Sequence, residues 1–242
     1  MAGPASLAAQ QSPEPLGAAA VLLDLDGTIL ETAGDLTTAV NRTLTEMGRE
    51  PVAEERVRGW IGDGVRVLLQ RALDATGTSD TGTLDQAHER FMVHYADCVA
   101  DRSHPYPGVV ETLAHLREAG LPLAVVTNKA SAFTEPLLEA TGLMPYLDAV
   151  ICGDKVGAKK PDPAPLRAAV EELGVDPASA VLVGDSRNDV QAARAAGCPV
   201  ICVTYGYNRG EDVRELGADR VVETFAQVRG QIRPAGPVAD RA

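Results

Sequence analysis

The run Ala20-Val21-Leu22-Leu23 passes directly into Asp24-Leu25-Asp26-Gly27-Thr28, and this junction limits the folds open to the chain more than any other stretch. Four consecutive apolar residues, broken too soon for a helix, read as a strand buried on both faces, the kind found in parallel sheets. Side chains two apart on a strand share a face, so Asp24 and Asp26 emerge together at its carboxyl end. Open α/β sheets bind ligands there. Two anions held together repel and require a cation or a shared proton. The junction therefore implies a metal-dependent site in which Asp24 or Asp26 does covalent or acid–base work.

The residues that follow set the domain organisation. Glu31-Thr32-Ala33-Gly34 reads as a linker, after which apolar residues recur at helical spacing over 35–47, 53–60, 65–76 and 84–100 with no strand between them. Gly48, Gly62, Gly64 and Gly77 punctuate these segments, and the insertion ends in the turn-rich stretch 101–108. Placed directly after the first strand, such an insertion lies above that strand's carboxyl end, with 31–34 and 101–108 as its hinges. From Val109 onward strand and helix patterns alternate, with strands expected at Leu123–Thr127, Ala149–Cys152, Ala180–Val183 and Val200–Val203. The expected architecture is α/β: a parallel Rossmann-like sheet flanked by helices, with an inserted all-helical cap. The core spans 19–32 and 105–230 and the cap 33–104. Residues 1–18 are expected to be a disordered extension and 231–242 a flexible tail.

Charge and cysteine usage narrow the partners. A net charge of -12 over 242 residues argues against nucleic acid or an anionic membrane as partner, and an anionic substrate then needs a local cation. Cys98, Cys152, Cys198 and Cys202 are scattered without a C-x-x-C pair, which fits free thiols in a reducing cytoplasm. Residues 1–18 lack the basic start and long apolar run of a signal peptide, and no apolar run approaches the ~20 residues of a membrane span. A monomer or homodimer acting on a small metabolite is expected.

Polar groups cluster at the ends of the expected strands: Asp24 and Asp26, then Thr127 and Asn128, then Asp185 and Asp189, with Lys160 from a neighbouring loop. Carboxylates suit a hard cation in oxygen coordination, magnesium over zinc. Phosphoryl transfer needs a nucleophile in line and neutralisation of the phosphoryl oxygens, which such a set supplies. In order and spacing, Asp24-Leu-Asp-Gly-Thr, Val-Val-Thr127-Asn128, Lys-Lys160-Pro-Asp-Pro and Gly-Asp185-Ser-Arg-Asn-Asp189 resemble the four motifs of the haloacid dehalogenase superfamily of phosphohydrolases, across Ala20 to about Val203. The resemblance implies Asp24 as nucleophile and Mg2+ ligand, and Asp26 as general acid and base with its backbone carbonyl on the metal. It also implies Thr127 and Asn128 holding the phosphoryl group, Lys160 neutralising it, Asp185 as a metal ligand, and Asp189 supporting Lys160 or a metal-bound water.

The segment Gly59 to Leu69 and the end Gly197-Cys198-Pro199 to Asn208 are similar to bacterial phosphoglycolate phosphatases, implying hydrolysis of 2-phosphoglycolate to glycolate and phosphate in carbohydrate metabolism. Members of that group often carry Asn where this chain has Asp63. An acid facing the pocket would oppose a carboxylated substrate, and Arg66 is the expected compensating partner. Both residues read equally well as helix caps or solvated charges. The alternatives are a phosphatase of the same fold for a sugar phosphate, nucleotide or pyrophosphate, a phosphosugar mutase, and a non-enzymatic phospho-accepting or binding domain. The position of Asp26 two residues after Asp24 argues against the phospho-accepting domain.

Overall fold

The computed structural model describes residues 14–235. In chain order, β1 (Leu16–Ala18) and β2 (Ala20–Leu23) lead to a short β3 (Leu30–Glu31), and then four helices follow without a strand: α1 (Ala33–Glu46), α2 (Glu54–Arg58), α3 (Val65–Thr76) and α4 (Thr81–Ala96). The chain returns through β4 (His104–Pro105) and α5 (Val109–Glu118) to β5 (Leu123–Thr127), α6 (Ser131–Ala140), β6 (Ala149–Cys152), α7 (Gly153–Val156) and α8 (Ala164–Glu172). The last units are β7 (Ala180–Gly184), α9 (Arg187–Ala196), β8 (Val200–Val203), β9 (Arg220–Val222) and β10 (Ile232–Pro234).

Six strands form one parallel sheet in the order β6-β5-β2-β7-β8-β9. Alternation along β2 shows why it is central. Val21 and Leu23 join the apolar cluster that holds Leu113 and Leu116 of α5 and Leu137 of α6. Ala20 and Leu22 join the opposite cluster, with Leu166 and Ala169 of α8 and Val190 of α9. All four are fully buried, each leucine contributing about 2 kcal/mol of burial. The chain leaves β2 toward β5 and β6 on one side and returns to β7 and β8 on the other. Strand order therefore reverses at β2, which opens a crevice outside the carboxyl ends of β5, β2 and β7.

Helices α1–α4 pack around their own apolar cluster, which includes Leu36, Val40, Leu69, Leu73, Phe91 and Tyr95 and reaches the core at Phe133 and Tyr207. Tyr95 stacks on Phe91 at 5.3 Å between ring centroids and meets Phe133 edge-on at 4.7 Å. These four helices cover the crevice. Helix α4 begins before Leu84 because the Asp80 carboxylate accepts the Thr83 amide at 2.7 Å and caps it.

Three segments depart from expectation. The linker 31–34 is ordered: Leu30 and Glu31 pair antiparallel with Pro105 and His104, and α1 starts at Ala33. The Glu31 carboxylate pins this ribbon, accepting hydrogen bonds from Ala33 N (3.1 Å), the Tyr207 hydroxyl (2.6 Å), the Tyr106 hydroxyl (2.8 Å) and Arg58 (2.8 Å). At the chain ends, Leu16–Ala18 and Ile232–Pro234 form a parallel pair, so the extension is structured by Leu16 and the tail is structured to Pro234. Both strands are three residues long, too short for alternation to register, and each exists only through the other. The rest of the expected extension and tail, 1–13 and 236–242, lies outside the described residues. Among the described residues no helix is long and apolar enough to cross a membrane, and the four cysteines are buried and free.

Candidate active site

The crevice is built from strand ends. β2 delivers Asp24, whose amide donates to Val183 O at 2.9 Å and so ties it to β7, and the adjoining turn carries Asp26. β5 delivers Thr127, Asn128 and Lys129, and β7 delivers Asp185. Asp189 sits in the first turn of α9, in a capping box with Ser186. Lys160 enters from the loop before α8. Carboxylate oxygens of Asp24, Asp185 and Asp189 lie within 4.8 Å of one another.

Lys160 organises this cluster. Its buried ammonium donates to Asp24 Oδ1 (2.6 Å), Asp189 Oδ1 (2.7 Å) and Val126 O (2.7 Å), using all three donors. Burial alone would depress the lysine, but Asp189 and Asp24 raise it, so it remains an ammonium. The other Asp189 oxygen accepts from the Ser186 hydroxyl (2.6 Å), Ser186 N (3.1 Å) and Asp185 N (3.3 Å). Asp189 thus holds Lys160 through one oxygen, while its other oxygen is taken up by the start of α9.

Asp24 and Asp185 are left under-compensated. Among the described residues Asp24 Oδ2 is met only by the Thr28 hydroxyl at 3.5 Å, the outer limit of a hydrogen bond. Asp185 Oδ2 accepts the Tyr207 amide, and Oδ1 has no partner among the described residues. Burial, opposed by Lys160 and reinforced by Asp189, pushes the Asp24 carboxyl up to about 7. Burial and the neighbouring Asp24 and Asp189 push Asp185 well above the usual carboxylate range. If all three carboxylates are ionised, one ammonium leaves two negative charges uncompensated, and the raised values of Asp24 and Asp185 express that strain. Open, all-oxygen donors carrying two excess charges fit a hard divalent cation.

Asp26 points elsewhere. Its Oδ1 accepts from the Thr32 hydroxyl (2.6 Å) and from Lys129 Nζ (3.0 Å), while Oδ2 has no partner among the described residues. One oxygen is fixed, the other has no partner among the described residues, and the residue lines the cavity, which suits a group that carries a proton. The Asn128 side chain is occupied: Nδ2 donates to Gly62 O and Lys160 O at 2.9 Å each, and Oδ1 accepts Lys160 N at 2.8 Å. It positions the Lys160 loop and touches the cap. Thr127 lines the cavity with its hydroxyl, which accepts the Lys129 amide at 3.1 Å.

The cap residues need correction. Arg66 pairs with Asp85 at 2.8 Å on the exposed side of α3, half open to solvent, and does not line the cavity. Spacing alone did not reveal which face of α3 it occupies. Asp63 does not line the cavity either. It sits at the rim, where Oδ2 accepts Arg71 (2.7 Å) and Oδ1 accepts Arg209 (2.7 Å) and Asn188 (2.8 Å). Its charge is neutralised across the junction of cap and core and does not oppose a substrate anion. Reasoning from sequence missed Lys129, Tyr95 and the Glu31 cluster. Lys129 had a usable signal, since it follows Thr127 and Asn128 directly at a strand end.

Known proteins resemble this chain over most of its length. A profile of the family described as haloacid dehalogenase-like hydrolase matches residues 21–203. A phosphoglycolate phosphatase of Nitrosospira multiformis is 48% identical over 213 residues, covering 87% of this chain and 94% of that relative. One from Thiobacillus denitrificans is 46% identical over 215 residues, covering 88% and 95%. A crystal structure from Haemophilus somnus, described as a predicted phosphoglycolate phosphatase, superimposes with a TM-score of 0.83 at 33% identity and covers 87% of this chain and 96% of its own.

Proposed function

Because the chain belongs to the haloacid dehalogenase-like hydrolase family, we propose that it is a magnesium-dependent phosphomonoester hydrolase acting through an aspartyl phosphate, with 2-phosphoglycolate as substrate. The observation that carries the mechanism is the pairing of an under-compensated Asp24, fixed through one oxygen by Lys160, with an Asp26 that lines the same cavity and has one carboxylate oxygen unpartnered among the described residues. In the first step an Asp24 oxygen attacks phosphorus as the bond to the ester oxygen breaks, and Asp26 gives its proton to the departing alkoxide, releasing glycolate. In the second, water attacks phosphorus, Asp26 takes the water's proton, and the bond to Asp24 breaks to release phosphate.

Lys160 neutralises the phosphoryl group and orients Asp24, and the Thr127 hydroxyl and the backbone around Asn128 hold the phosphoryl oxygens. The side chains of Asp24 and Asp185 and the backbone carbonyl of Asp26 would hold magnesium, which when bound would offset charge on the phosphoryl oxygens. Asp189 acts through Lys160. The cap excludes water from the phosphoenzyme, and its movement on the ribbon formed by β3 and β4 admits substrate. The identity of the substrate is supported by relatives at 46–48% identity that bear the name phosphoglycolate phosphatase.

Phosphate release with magnesium across 2-phosphoglycolate, sugar phosphates, nucleotides and pyrophosphate tests the reading. The highest kcat/KM is expected for 2-phosphoglycolate. A better substrate elsewhere in the panel overturns that assignment, and no release from any of them overturns the mechanism.

A further inference from the structure

The cavity under the cap has a mixed wall. On the cap side it is lined by Leu36, Ile61, Val65 and Leu68, which offer no charge to a second anionic group on a substrate. Two basic side chains line it among the described residues, Lys160 and Lys129. Lys160 is saturated, with all three donors committed. Lys129 is not: among the described residues its ammonium makes one hydrogen bond, to Asp26 Oδ1, and otherwise rests 4.8 Å from the centre of the Tyr95 ring. Asp26 does not depend on it, because the Thr32 hydroxyl bonds the same oxygen at 2.6 Å.

A second observation lies beside it. Tyr95 lines the same cavity and is fully buried, and its hydroxyl, near the Lys129 ammonium, meets hydrogen-bond geometry with no partner among the described residues. Leaving such a group unmatched is costly, and a ligand oxygen at this spot would remove the cost.

We propose that Lys129, with the Tyr95 hydroxyl, forms the subsite that receives the carboxylate of the substrate. The inference rests on 2-phosphoglycolate as the substrate and adds which residues recognise it. In that molecule the carboxyl carbon lies two bonds from the ester oxygen that Asp26 must protonate. A cation reading the carboxylate must then adjoin Asp26, and Lys129 is bonded to Asp26 at 3.0 Å. Arg66 and Asp63, on the cap, do not line the cavity.

The test compares 2-phosphoglycolate with 2-hydroxyethyl phosphate, which replaces the carboxylate by a neutral hydroxymethyl group, on the wild type, Lys129→Met and Tyr95→Phe. Methionine keeps the packing of the stem on Tyr95, and phenylalanine keeps the ring between Phe91 and Phe133. The ratio of kcat/KM between the two esters is expected to fall ~10- to 100-fold in Lys129→Met, chiefly through KM for 2-phosphoglycolate, and about 5-fold in Tyr95→Phe, the worth of a charged and a neutral hydrogen bond. Equal loss on both esters would mean that Lys129 only positions Asp26, and would overturn the inference. A wild type that prefers 2-phosphoglycolate and a Lys129→Met variant that keeps the preference would sink the subsite while leaving the substrate intact. A wild type without preference would refute the substrate itself and the subsite with it. Should Lys129→Met fail to fold, an unchanged ratio in Tyr95→Phe overturns the proposal.

Discussion

Asp63→Asn isolates one of the contacts that join cap to core. Asp63 on the cap receives Arg71 from its own side and Arg209 and Asn188 from the core, all at 2.7–2.8 Å and partly shielded, with the carboxylate 23% exposed. An amide can keep one acceptor side only. If its NH2 group faces Arg71, the remaining bond from Arg209 keeps a charged donor but loses the charged acceptor, and with it the ion pair. Charge-assisted bonds at such exposure lie between the ~0.5 kcal/mol of an open surface pair and the ~2–3 kcal/mol of a shielded one, so the substitution should weaken the closed arrangement by about 1–2 kcal/mol. That is a ~5- to 30-fold shift toward opening. Apparent KM then rises with the loss of the competent population, up to ~10-fold, while kcat changes less.

The chain's single tryptophan reports on the same contact. Trp60 lies three residues away, its carbonyl accepts Arg71 at 2.9 Å, and the Arg56 guanidinium sits 5.4 Å above its ring. Raising salt from ~0.05 to ~0.5 M should move wild-type fluorescence and KM toward the variant's values, and should leave the variant nearly unchanged. Acid should act in the same direction. Burial alone would raise the Asp63 carboxyl, but hydrogen bonds from Arg209 and Asn188 overcome it and hold the group below its usual value. Such a group supports closure above the ordinary carboxylate range and loses that support as pH falls through its depressed value, so the contact should be level from pH ~5 to ~8 and weaken below. Identical salt responses of Trp60 and KM in wild type and variant would refute the reasoning.

Asp24→Asn should abolish phosphate release by more than ~10³-fold, and Asp26→Asn should do the same for esters with poor leaving groups but less for an aryl phosphate, whose leaving group needs no proton. Chelation should lower the melting temperature, and magnesium at ~100 times its Kd should restore about 2.7 kcal/mol, or roughly 5–10 °C for a chain of this length, read by calorimetry. Gly27→Ala should destabilise the fold by about 2–3 kcal/mol in urea unfolding and lower activity. Gly27 has a φ of 90°, and a Cβ there would lie 2.8–2.9 Å from Tyr207 and overlap the Asp185 carboxylate.

The tertiary structure and the sequence divide this molecule along a physical line. Asp24, Asp26 and Asp185 were legible in the sequence because each follows an uninterrupted apolar strand. Strand periodicity and the rule that parallel sheets bind at their carboxyl ends are local facts, and the helical spacing of 33–100 is local too. What remained hidden depends on distant pairing. Lys129 meets Asp26 across 103 positions, and Glu31 reaches Tyr207 across 176, so a stretch that reads as a linker is a pinned ribbon. The direction of Arg66 out of the cavity, and the neutralisation of Asp63 by two arginines, follow from which face of α3 packs inward and where the segment after β8 returns. Residue order determined where the strand-end carboxylates fall and the sheet that carries them. Only folding decided which cation stands beside each carboxylate, because ion pairing depends on separation in space and the chain encodes only separation along itself.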